Sequence, residues 1–440
     1  MQYNIDSLPH NDQTCGWINN LPSRGSFPVL AGKHLADWVV IGGGYTGIAF
    51  ARRMAEANPN HKIIILDAGA IGEGASSRNS GFAVATSSSG EAYNPAKLAE
   101  FKRINRINNA GIESLRQIVT AQQIDCQWRD VGKFHCGAPS TSAKAADDFI
   151  HWLEAAQIPH EDLSQAQLSK RLGTAYYRRG VWTKADVMLQ PAALIRGLSD
   201  SLPENVTLHD YSAALSVEDK KGLIHIGTAK GEVIAKNMVL ASNAFLHTMT
   251  PSPSYTVPLT MTASLTRPLT KEEQTLLGDV QDWGILSLHG MGATIRYTAD
   301  HRILIRNTAA YNAVTPLRSS QMLAAQQTHL LCLRQRFPML EELNFEHSWQ
   351  GVLCISRNSS SLFGKLADNI YVSGCYNASG ISRGSAMGLA LADYALGDNN
   401  QLLSDALAYP APTWMPPRPI LDIAMKAEIM RRKYGTGPDA

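Results

Sequence analysis

A glycine-rich turn between an apolar strand and a helical segment limits what this chain can fold into. Residues Trp38 to Ile41 are apolar and partly β-branched, and the pattern Gly42-x-Gly44-x-x-Gly47 follows them directly. In such a turn the first glycine permits a sharp bend, the second lets a pyrophosphate approach the backbone, and the third lets the helix pack on the strand. The pattern therefore predicts a strand, a tight turn and a helix that together bind a dinucleotide.

An acidic residue stands at the distance that this prediction requires. A second apolar run, Ile63 to Leu66, ends at Asp67, which is 20 residues after Gly47. A dinucleotide-binding fold has there a carboxylate that accepts hydrogen bonds from a ribose. A glycine-rich turn alone also occurs for packing reasons, but the strand, the helix and the acid together favour nucleotide binding over a purely structural turn.

Length and composition exclude several other classes of protein. A chain of 440 residues is too long for one hydrophobic core and indicates two or three domains. The net charge of +2, without a visible basic cluster, gives no reason to expect a nucleic-acid partner. The six cysteines are irregularly spaced and include no C-x-x-C pair, so we expect neither a metal site nor a disulfide framework.

The sequence carries no signal for export or membrane insertion that we recognise. Its first residues lack the basic and apolar regions of a secretory signal, and no apolar run reaches the roughly 18 residues that a membrane span requires. We therefore expect a cytoplasmic protein without a membrane span.

A second glycine-rich segment follows Asp67 and carries a resemblance to a known family. The segment Gly72 to Gly81 is too polar for an ordinary strand or helix and suits a loop that folds over phosphate and a ring. Together with the first motif, residues 74–81 resemble the D-amino acid oxidase-like FAD-dependent oxidoreductases, the group of glycine oxidase and sarcosine oxidase. Within that group the motifs are most similar to those of the γ-glutamylputrescine oxidoreductases.

The resemblance implies FAD as the cofactor and an α/β fold. This fold would have a Rossmann-like FAD-binding domain and a discontinuous α+β substrate domain built on an antiparallel sheet. The FAD-binding domain would comprise residues 36–96, 175–256 and 350–398, and the substrate domain residues 97–174 and 257–349. Residues 1–35 would form an N-terminal arm, and residues 399–440 would form a C-terminal tail.

The resemblance also assigns residues to the cofactor. Asp67 would hold the ribose, although most relatives carry Glu there, and Ala214 would lie beside the adenine. The backbone at Gly380 and the helix that follows it would face the pyrimidine end of the flavin, where reduction creates negative charge. The cofactor-binding residues implied in this way are Gly42, Gly44, Tyr45, Thr46, Gly47, Asp67, Ala68, Gly74, Ala75, Ser76, Arg78, Asn79, Ser80, Gly81, Ala214, Ala241, Asn243, Trp349, Gly351, Gly380, Ile381 and Ser382.

Periodicity predicts the main elements outside the dinucleotide motif. Helices are expected from about residue 97 and at Ser142–Ala156, with a strand pair at Trp128–His135 between them. Alternation at Val257–Thr266 predicts a half-buried antiparallel strand, and the pattern at Thr294–Arg306 predicts a hairpin.

The hairpin supplies the candidates for a catalytic or substrate-binding role. They are Arg296, Tyr297 and Arg306, because a guanidinium at the end of a flavin-facing strand can clamp a carboxylate bidentately. An arginine at the exposed surface of a strand is the simpler interpretation of each of the two guanidinium groups.

The resemblance implies oxidation of a C–N bond in an amine or amino acid, with a γ-glutamylated polyamine among the candidate substrates. A hydride would pass to flavin N5 and the imine would then be hydrolysed, with oxygen or another electron acceptor as the second partner. Two rivals stay open: a monooxygenase that uses NAD(P)H, and a noncatalytic flavin-binding subunit. The second rival rests on the altered turn Cys375 to Ser379, which with Gly380 replaces the pattern G-Y-S-G-H-G of relatives.

Overall fold

Two large β-sheets organise the chain in a computed structural model, which describes residues 2–5, 7–10, 12–87, 91–138, 142–249, 255–278, 280–311 and 316–436. Parts of the predicted segments, including 250–254 and 437–440, lie outside the described residues. The strands are β1 (Gln2–Asn4), β2 (Gly32–Ile41), β3 (Ile63–Leu66), β4 (Phe82–Ala83), β5 (Lys133–Cys136), β6 (His160–Ser164), β7 (Arg179–Thr183), β8 (Val187–Met188), β9 (Val206–His209), β10 (Ser216–Lys220), β11 (Leu223–Gly227), β12 (Gly231–Leu240), β13 (Val257–Thr266), β14 (Trp283–Ser287), β15 (Thr294–Tyr297), β16 (Ile303–Ala310), β17 (Phe345–Ile355), β18 (Leu362–Ala367) and β19 (Ile370–Gly374).

The helices are α1 (Gly16–Asn19), α2 (Tyr45–Ala57), α3 (Ala75–Arg78), α4 (Leu98–Ala121), α5 (Ser142–Ala156), α6 (Gln165–Leu172), α7 (Pro191–Asp200), α8 (Leu246–Met249), α9 (Lys271–Leu277), α10 (Ser319–Arg336), α11 (Ser382–Leu396), α12 (Gln401–Leu407) and α13 (Ile420–Thr436). Helices α2, α4, α7 and α11 cover one face of the first sheet, and α10 covers one face of the second. None of the described helices is both long and apolar enough to cross a lipid bilayer.

The first sheet has a parallel centre in the order β9-β3-β2-β12-β19. Strand β12 pairs with β2 along one edge, and along its other edge with β11 first and then β19. Strand β3 is buried throughout, as a strand covered on both faces should be. Because the parallel strands end at the same edge, the turns after Ile41, Leu66 and Leu240 come together there.

The second sheet has the order β17-β13-β16-β15-β14-β5-β7-β6 and takes its strands from two separate parts of the chain. Neighbouring strands are antiparallel except for β5 and β14, which are parallel. One face packs on α10 through a cluster that includes Trp283, Ile305 and Leu333. The opposite face carries Ala263 and Leu304, which pack with Trp17 and Trp349. We call this second face the loop-facing face, since both tryptophans bind the loop after α3.

The α/β class and the two-sheet organisation predicted from the sequence are confirmed, but some local predictions are wrong. In the predicted pair Trp128–His135 only β5 is a strand, and Arg129 makes a single bridge to Met188. Strand β13 is buried along nearly its whole length instead of half-buried, because α10 covers one face and the first sheet's connections cover the other.

The N-terminal arm is more structured than its composition suggests. It contributes β1 to the edge of the first sheet and the short helix α1, whose Trp17 is buried. All six cysteines are buried, and the structure has no disulfide between them. Among the described residues no group of three or more histidine, cysteine, aspartate and glutamate side chains could hold a metal ion.

Gly111 in α4 should be intolerant of a side chain. A methyl group there would overlap the carbonyl oxygen of Ser382 at the start of α11. Alanine in a helix interior normally stabilises relative to glycine, but overpacking costs about 1–3 kcal/mol, so Gly111→Ala should lower the free energy of unfolding. Gly435→Ala is the matched control, because a methyl group on α13 meets open space. Chemical denaturation measures both, and a stabilised Gly111→Ala protein would contradict the close contact.

Candidate cofactor and substrate site

A cleft opens where the parallel strands of the first sheet end. Several of the residues predicted to bind the cofactor line it together, although they are far apart in sequence. They are Gly42, Gly44, Asp67, Ala68, Gly74, Ala75, Ser76, Arg78, Ala214, Ala241, Asn243 and Gly351. A single elongated site that gathers these residues is what a bound dinucleotide requires.

The glycine turn between β2 and α2 has the geometry of a cradle. Gly42 adopts φ +112°, and a side chain there would lie 2.7 Å from the carbonyl oxygen of Ala241. A methyl group at Gly47 would overlap the carbonyl oxygen of Gly42, and one at Gly44 would lie 2.9 Å from the Ser76 hydroxyl. The helix α2 begins at Tyr45 without a side-chain cap, so its N-terminal dipole points at the cleft.

Asp67 lies at the end of β3 and closes one side of the cleft. Its carboxylate accepts hydrogen bonds from the backbone N–H of Gly43 at 2.9 Å and of Gly69 at 3.0 Å. Burial raises the pKa of Asp67 to about 6, and those two N–H groups only partly oppose the rise. A carboxylate that is fixed by backbone donors yet costly to desolvate is suited to accept two ribose hydroxyls.

The loop that follows Asp67 is held mainly by its own polar groups. Asn79 Oδ1 accepts from the Gly81 N–H at 2.8 Å, and its amide donates to the Ser76 carbonyl at 2.7 Å. Arg78 is buried and donates from Nε to the Glu73 carbonyl at 3.0 Å and from Nη1 to the Gln350 carbonyl at 3.1 Å. The prediction that the Arg78 side chain binds the cofactor therefore needs revision, since its donors bind two backbone carbonyls and the Asp12 carboxylate.

Residues around β17 support this loop from behind. Trp349 is fully buried and donates its indole N–H to the Arg78 carbonyl at 3.1 Å, so it contacts the loop and not the cleft. Gly351 lies two residues further, where a side chain would lie 3.2 Å from Arg78 Cβ. The backbone at Gly351 lines the cleft, whereas Trp349 positions the loop that does.

The turn between β19 and α11 keeps a glycine-like conformation without glycine. Cys375, Asn377 and Ala378 have φ of 63°, 48° and 77°, in the left-handed region that costs most residues about 1 kcal/mol or more. The hydroxyl of Tyr376 contacts Thr46 Oγ1 at 2.7 Å, which ties the turn to the first turn of α2. Cys375 and Ala378, which stand where the family pattern has glycine, therefore adopt a backbone conformation that glycine favours.

The predicted cofactor-binding residues that follow this turn have different surroundings, since one borders open space and the others are buried. A side chain at Gly380 would meet nothing within 4 Å, so its backbone borders open space. Ile381 is in the hydrophobic core, and the Ser382 hydroxyl donates to the Val84 carbonyl at 2.7 Å. Only the backbone N–H groups at the start of α11 are left to face a ligand. The side chain of Tyr45 is likewise used internally, in a 3.1 Å bond to the Pro191 carbonyl.

Two of the three substrate candidates are corrected by the structure. Tyr297 faces α10, where it packs beside Trp283 and its hydroxyl contacts His301 at 2.8 Å. Arg296 is on the loop-facing face, but Nη1 donates to the Leu189 carbonyl at 2.5 Å and to the Gly81 carbonyl at 3.2 Å. Nη1 of Arg296 also donates to the Ser80 carbonyl at 3.4 Å. Arg296 therefore holds the loop in place and is not free to clamp a substrate.

Arg306 is different, because its guanidinium has little to bind. It is opposite Thr294 in the sheet and donates to that hydroxyl at 2.5 Å. Within the part of the chain that the structure describes, no carboxylate pairs with it. Burial lowers the pKa of Arg306 to about 10, and burial together with this charge lowers the pKa of His329 to about 3. An uncompensated cation of this kind is suited to receive an anionic group.

A bulge in β16 adds a neighbour that the sequence did not reveal. Ile305 is opposite Ser264 and Thr308 is opposite Thr262, so Arg306 and Asn307 share the single position opposite Ala263. Ile305 and Thr308 both face α10, which leaves Arg306 and Asn307 on the loop-facing face. Both polar atoms of the buried Asn307 amide lack a hydrogen-bond partner in the described chain.

Other residues that line the cleft were also missed. They include Ser7, Leu8, Pro9 and His10 of the arm, Ser242, Ala244 and Phe245 after β12, and Pro316 before α10. Those after β12 could have been found from the parallel-strand rule, because they follow a strand end. The arm residues carry no motif.

The comparisons with known proteins agree with this geometry. A family model described as FAD dependent oxidoreductase, DAO, matches residues 37–394. The probable oxidoreductase OrdL of Haemophilus influenzae is 25% identical over 428 residues, which are 93% of this chain and 94% of that protein. The gamma-glutamylputrescine oxidoreductase of Escherichia coli is 24% identical over 397 residues, which are 88% of this chain and 90% of that protein.

The fold is also similar to that of solved structures. A crystal structure of glycine oxidase from Geobacillus kaustophilus superposes with a TM-score of 0.70 at 18% identity, and the match covers 87% of this chain and all of that one. The L-amino acid deaminase from Proteus myxofaciens gives a TM-score of 0.69 at 15% identity, with 91% of this chain and 96% of that one covered.

The affinity for FAD should fall as the pH is lowered. A protonated Asp67 carboxyl cannot accept two ribose hydroxyls, so with a pKa of about 6 the dissociation constant should be about tenfold higher at pH 5 than at pH 8. Fluorescence titration of the apoprotein measures it. Asp67→Asn should bind more weakly at pH 8 with a flat pH profile, and an unchanged slope would remove Asp67 from the site.

The same group makes an opposite prediction for the apoprotein alone. Its pKa in the folded state is raised above the unfolded value of about 4, so its contribution to stability is present below pH 4 and is lost as the pH rises through 6. The two opposite slopes distinguish a cofactor effect from a folding effect.

Proposed function

Since the chain belongs to the DAO family of FAD-dependent oxidoreductases, we propose that it oxidises a C–N bond of an amine or amino acid that carries a carboxylate. A γ-glutamylated polyamine is one candidate substrate, in keeping with the gamma-glutamylputrescine oxidoreductase among the relatives. The single observation that carries the proposal is the uncompensated Arg306 on the loop-facing face of the second sheet.

The charge of Arg306 supports an anionic substrate group. Keeping a guanidinium partly buried without an acid costs stability, and such a cost is retained where a ligand supplies the missing charge. Its position helps, because Arg296 on the same face reaches the Gly81 carbonyl of the loop that borders the cofactor cleft. A carboxylate bound to Arg306 would thus lie on the side of the second sheet that faces the loop after α3.

Asn307 supports a substrate with a second polar group. Its amide offers both a donor and an acceptor, and neither is used within the described chain. A carboxylate on Arg306 and an amide or amine on Asn307 would satisfy both side chains at once. An α-amino acid or a γ-glutamyl amide has such a pair of groups, whereas a simple alkylamine does not.

The flavin supplies the oxidation when it is bound, by accepting the hydride that leaves the carbon beside the amine, after which water hydrolyses the imine. The chain's own residues bind and orient the substrate. The positive charge of Arg306 also lowers the pKa of an amine bound beside it, and so favours the neutral amine that can lose a hydride. The buried sheet face and the loop restrict the access of water.

The rival functions have separate signatures. A monooxygenase needs NAD(P)H to reduce its flavin, and a noncatalytic subunit has no reducing substrate. An anaerobic absorbance scan near 450 nm tests all three, with N-methyl amino acids, α-amino acids, γ-glutamyl polyamines and simple amines added one at a time. Bleaching by a carboxylate-bearing amine supports the proposal, bleaching by NADPH favours the monooxygenase, and no bleaching favours the subunit. Admission of air then shows whether oxygen is the acceptor.

Removing the charge of Arg306 should weaken substrate binding without harming the fold. Loss of a buried partner for a carboxylate costs about 2–5 kcal/mol, so Arg306→Met should raise the KM for a carboxylate-bearing amine about 30-fold or more. The unfolding temperature should equal or exceed that of the wild type, because an unpaired buried charge is removed. Steady-state kinetics and calorimetry measure the two effects.

Arg334→Met is the matched control, since Arg334 is exposed on α10 and should change neither quantity. An Arg306→Met protein with a normal KM would remove this residue from the substrate site. Asn307→Leu, which has a similar volume, should also preserve stability, and it should raise KM only for substrates with a second polar group.

A further inference from the structure

The N-terminal arm crosses the cofactor cleft. Residues Ser7, Leu8, Pro9 and His10 line the same cleft as Gly42. They follow β1, which is fixed to the edge of the first sheet by pairing with β10, and Ile5 is buried with its N–H bonded to the Leu215 carbonyl at 2.9 Å. The arm is therefore anchored before it reaches the cleft.

The arm is anchored again beyond the cleft. Cys15 and Trp17 are buried, and the Trp17 indole donates to the Asn79 carbonyl at 2.8 Å. The Gln190 amide donates to the Trp17 carbonyl at 2.7 Å. These contacts fasten the arm to the far wall, so Ser7 to His10 lie over the cleft between two anchored points.

An ion pair holds this segment. Arg78 Nη1 donates to Asp12 Oδ1 at 2.8 Å, and the side chains are 4% and 22% exposed. Although burial by itself would raise it, the pKa of Asp12 is lowered by its bond to Arg78 and by the positive charge of that group. Arg78 is at the same time held by hydrogen bonds to the Glu73 and Gln350 carbonyls. If the ion pair opens, Arg78 therefore keeps its position and the arm moves away from it.

We propose that residues 7–10, together with Asp12, form a strap that retains FAD in the cleft, and that the Asp12–Arg78 ion pair keeps the strap closed. Leu8 supports this role, because it is 42% exposed and lines the cleft, where an apolar side chain can cover part of a bound cofactor. Asp12 and Leu8 are thus positioning residues for the cofactor, without part in the oxidation itself. The strap must open for FAD to enter or leave.

The rate of FAD release tests the strap. Asp12→Asn removes the ion pair and should speed release roughly tenfold, as the appearance of free-flavin fluorescence after dilution measures. Asp12→Glu keeps the carboxylate and should release FAD close to the wild-type rate. Asp130→Asn is the control, because Asp130 also pairs with an arginine, Arg116 at 2.7 Å, but does not line the cleft. Wild-type release by Asp12→Asn would overturn the proposal.

Leu8→Ser keeps the test decisive if the Asp12 variant folds poorly. It should also speed release, whereas Leu35→Ser, at a side chain that is 65% exposed outside the cleft, should not. Thermal unfolding of the apoproteins separates a loss of stability from faster release, and release is compared at a temperature at which every variant is folded.

Hydrogen exchange supplies a readout that is independent of the release rate. Addition of FAD should slow exchange at the N–H groups of Leu8, His10 and Asp12, and Asp12→Asn should lose that protection. Protection that persists in Asp12→Asn, or arm exchange that FAD does not change in the wild type, would contradict a closing strap. None of these measurements uses turnover, so they stand apart from the substrate proposal.

Discussion

The close approach of α2 to the end of β2 is the contact on which the cofactor cleft depends. A side chain at Gly47 would overlap the carbonyl oxygen of Gly42, and one at Gly388 would overlap that of Thr46. Helix α2 is therefore held between the strand and α11 at backbone distance. This places the uncapped N-terminus of α2 at the sheet edge beside Asp67, and Thr46 Oγ1 contacts the Tyr376 hydroxyl of the turn before α11 at 2.7 Å. Glycine is required here by space, and the cleft follows from it.

Buried charges hold the loops that this framework leaves free. Asp186 and Lys133 form a fully buried pair at 3.0 Å, and Asp186 Oδ1 also accepts from the Ala85 N–H at 2.8 Å. Arg296 binds the carbonyl oxygens of Gly81 and Leu189, and Arg78 binds those of Glu73 and Gln350. Such interactions are expensive to bury, but each is satisfied by several donors or acceptors, so they fix loop positions that apolar packing alone would leave degenerate.

The sequence predicted well where a rule is local. The glycine spacing around β2 and Asp67 depends on a few adjacent residues, and the predicted turn, helix and acid are where the rule puts them. The sequence predicted poorly where the position of a side chain depends on residues that are distant along the chain. Arg296 and Tyr297 are adjacent, so strand alternation requires that they face opposite ways, but only the packing of α10 decides which way each faces. The bulge that places Asn307 on the loop-facing face and the ion pair from Asp12 to Arg78 leave no periodic signal at all.

The six buried thiols can serve as probes of local opening in different regions of the fold. Burial raises the pKa of Cys15 to about 11 and of Cys126 to about 12. All six thiols are hidden from solvent, so a reagent reaches each one only when its surroundings open. Cys15 is at the foot of the arm, Cys332 is in α10, and Cys354 and Cys375 pack together near the end of the first sheet. The order in which a thiol reagent modifies them would therefore report the order in which separate regions of the fold open locally.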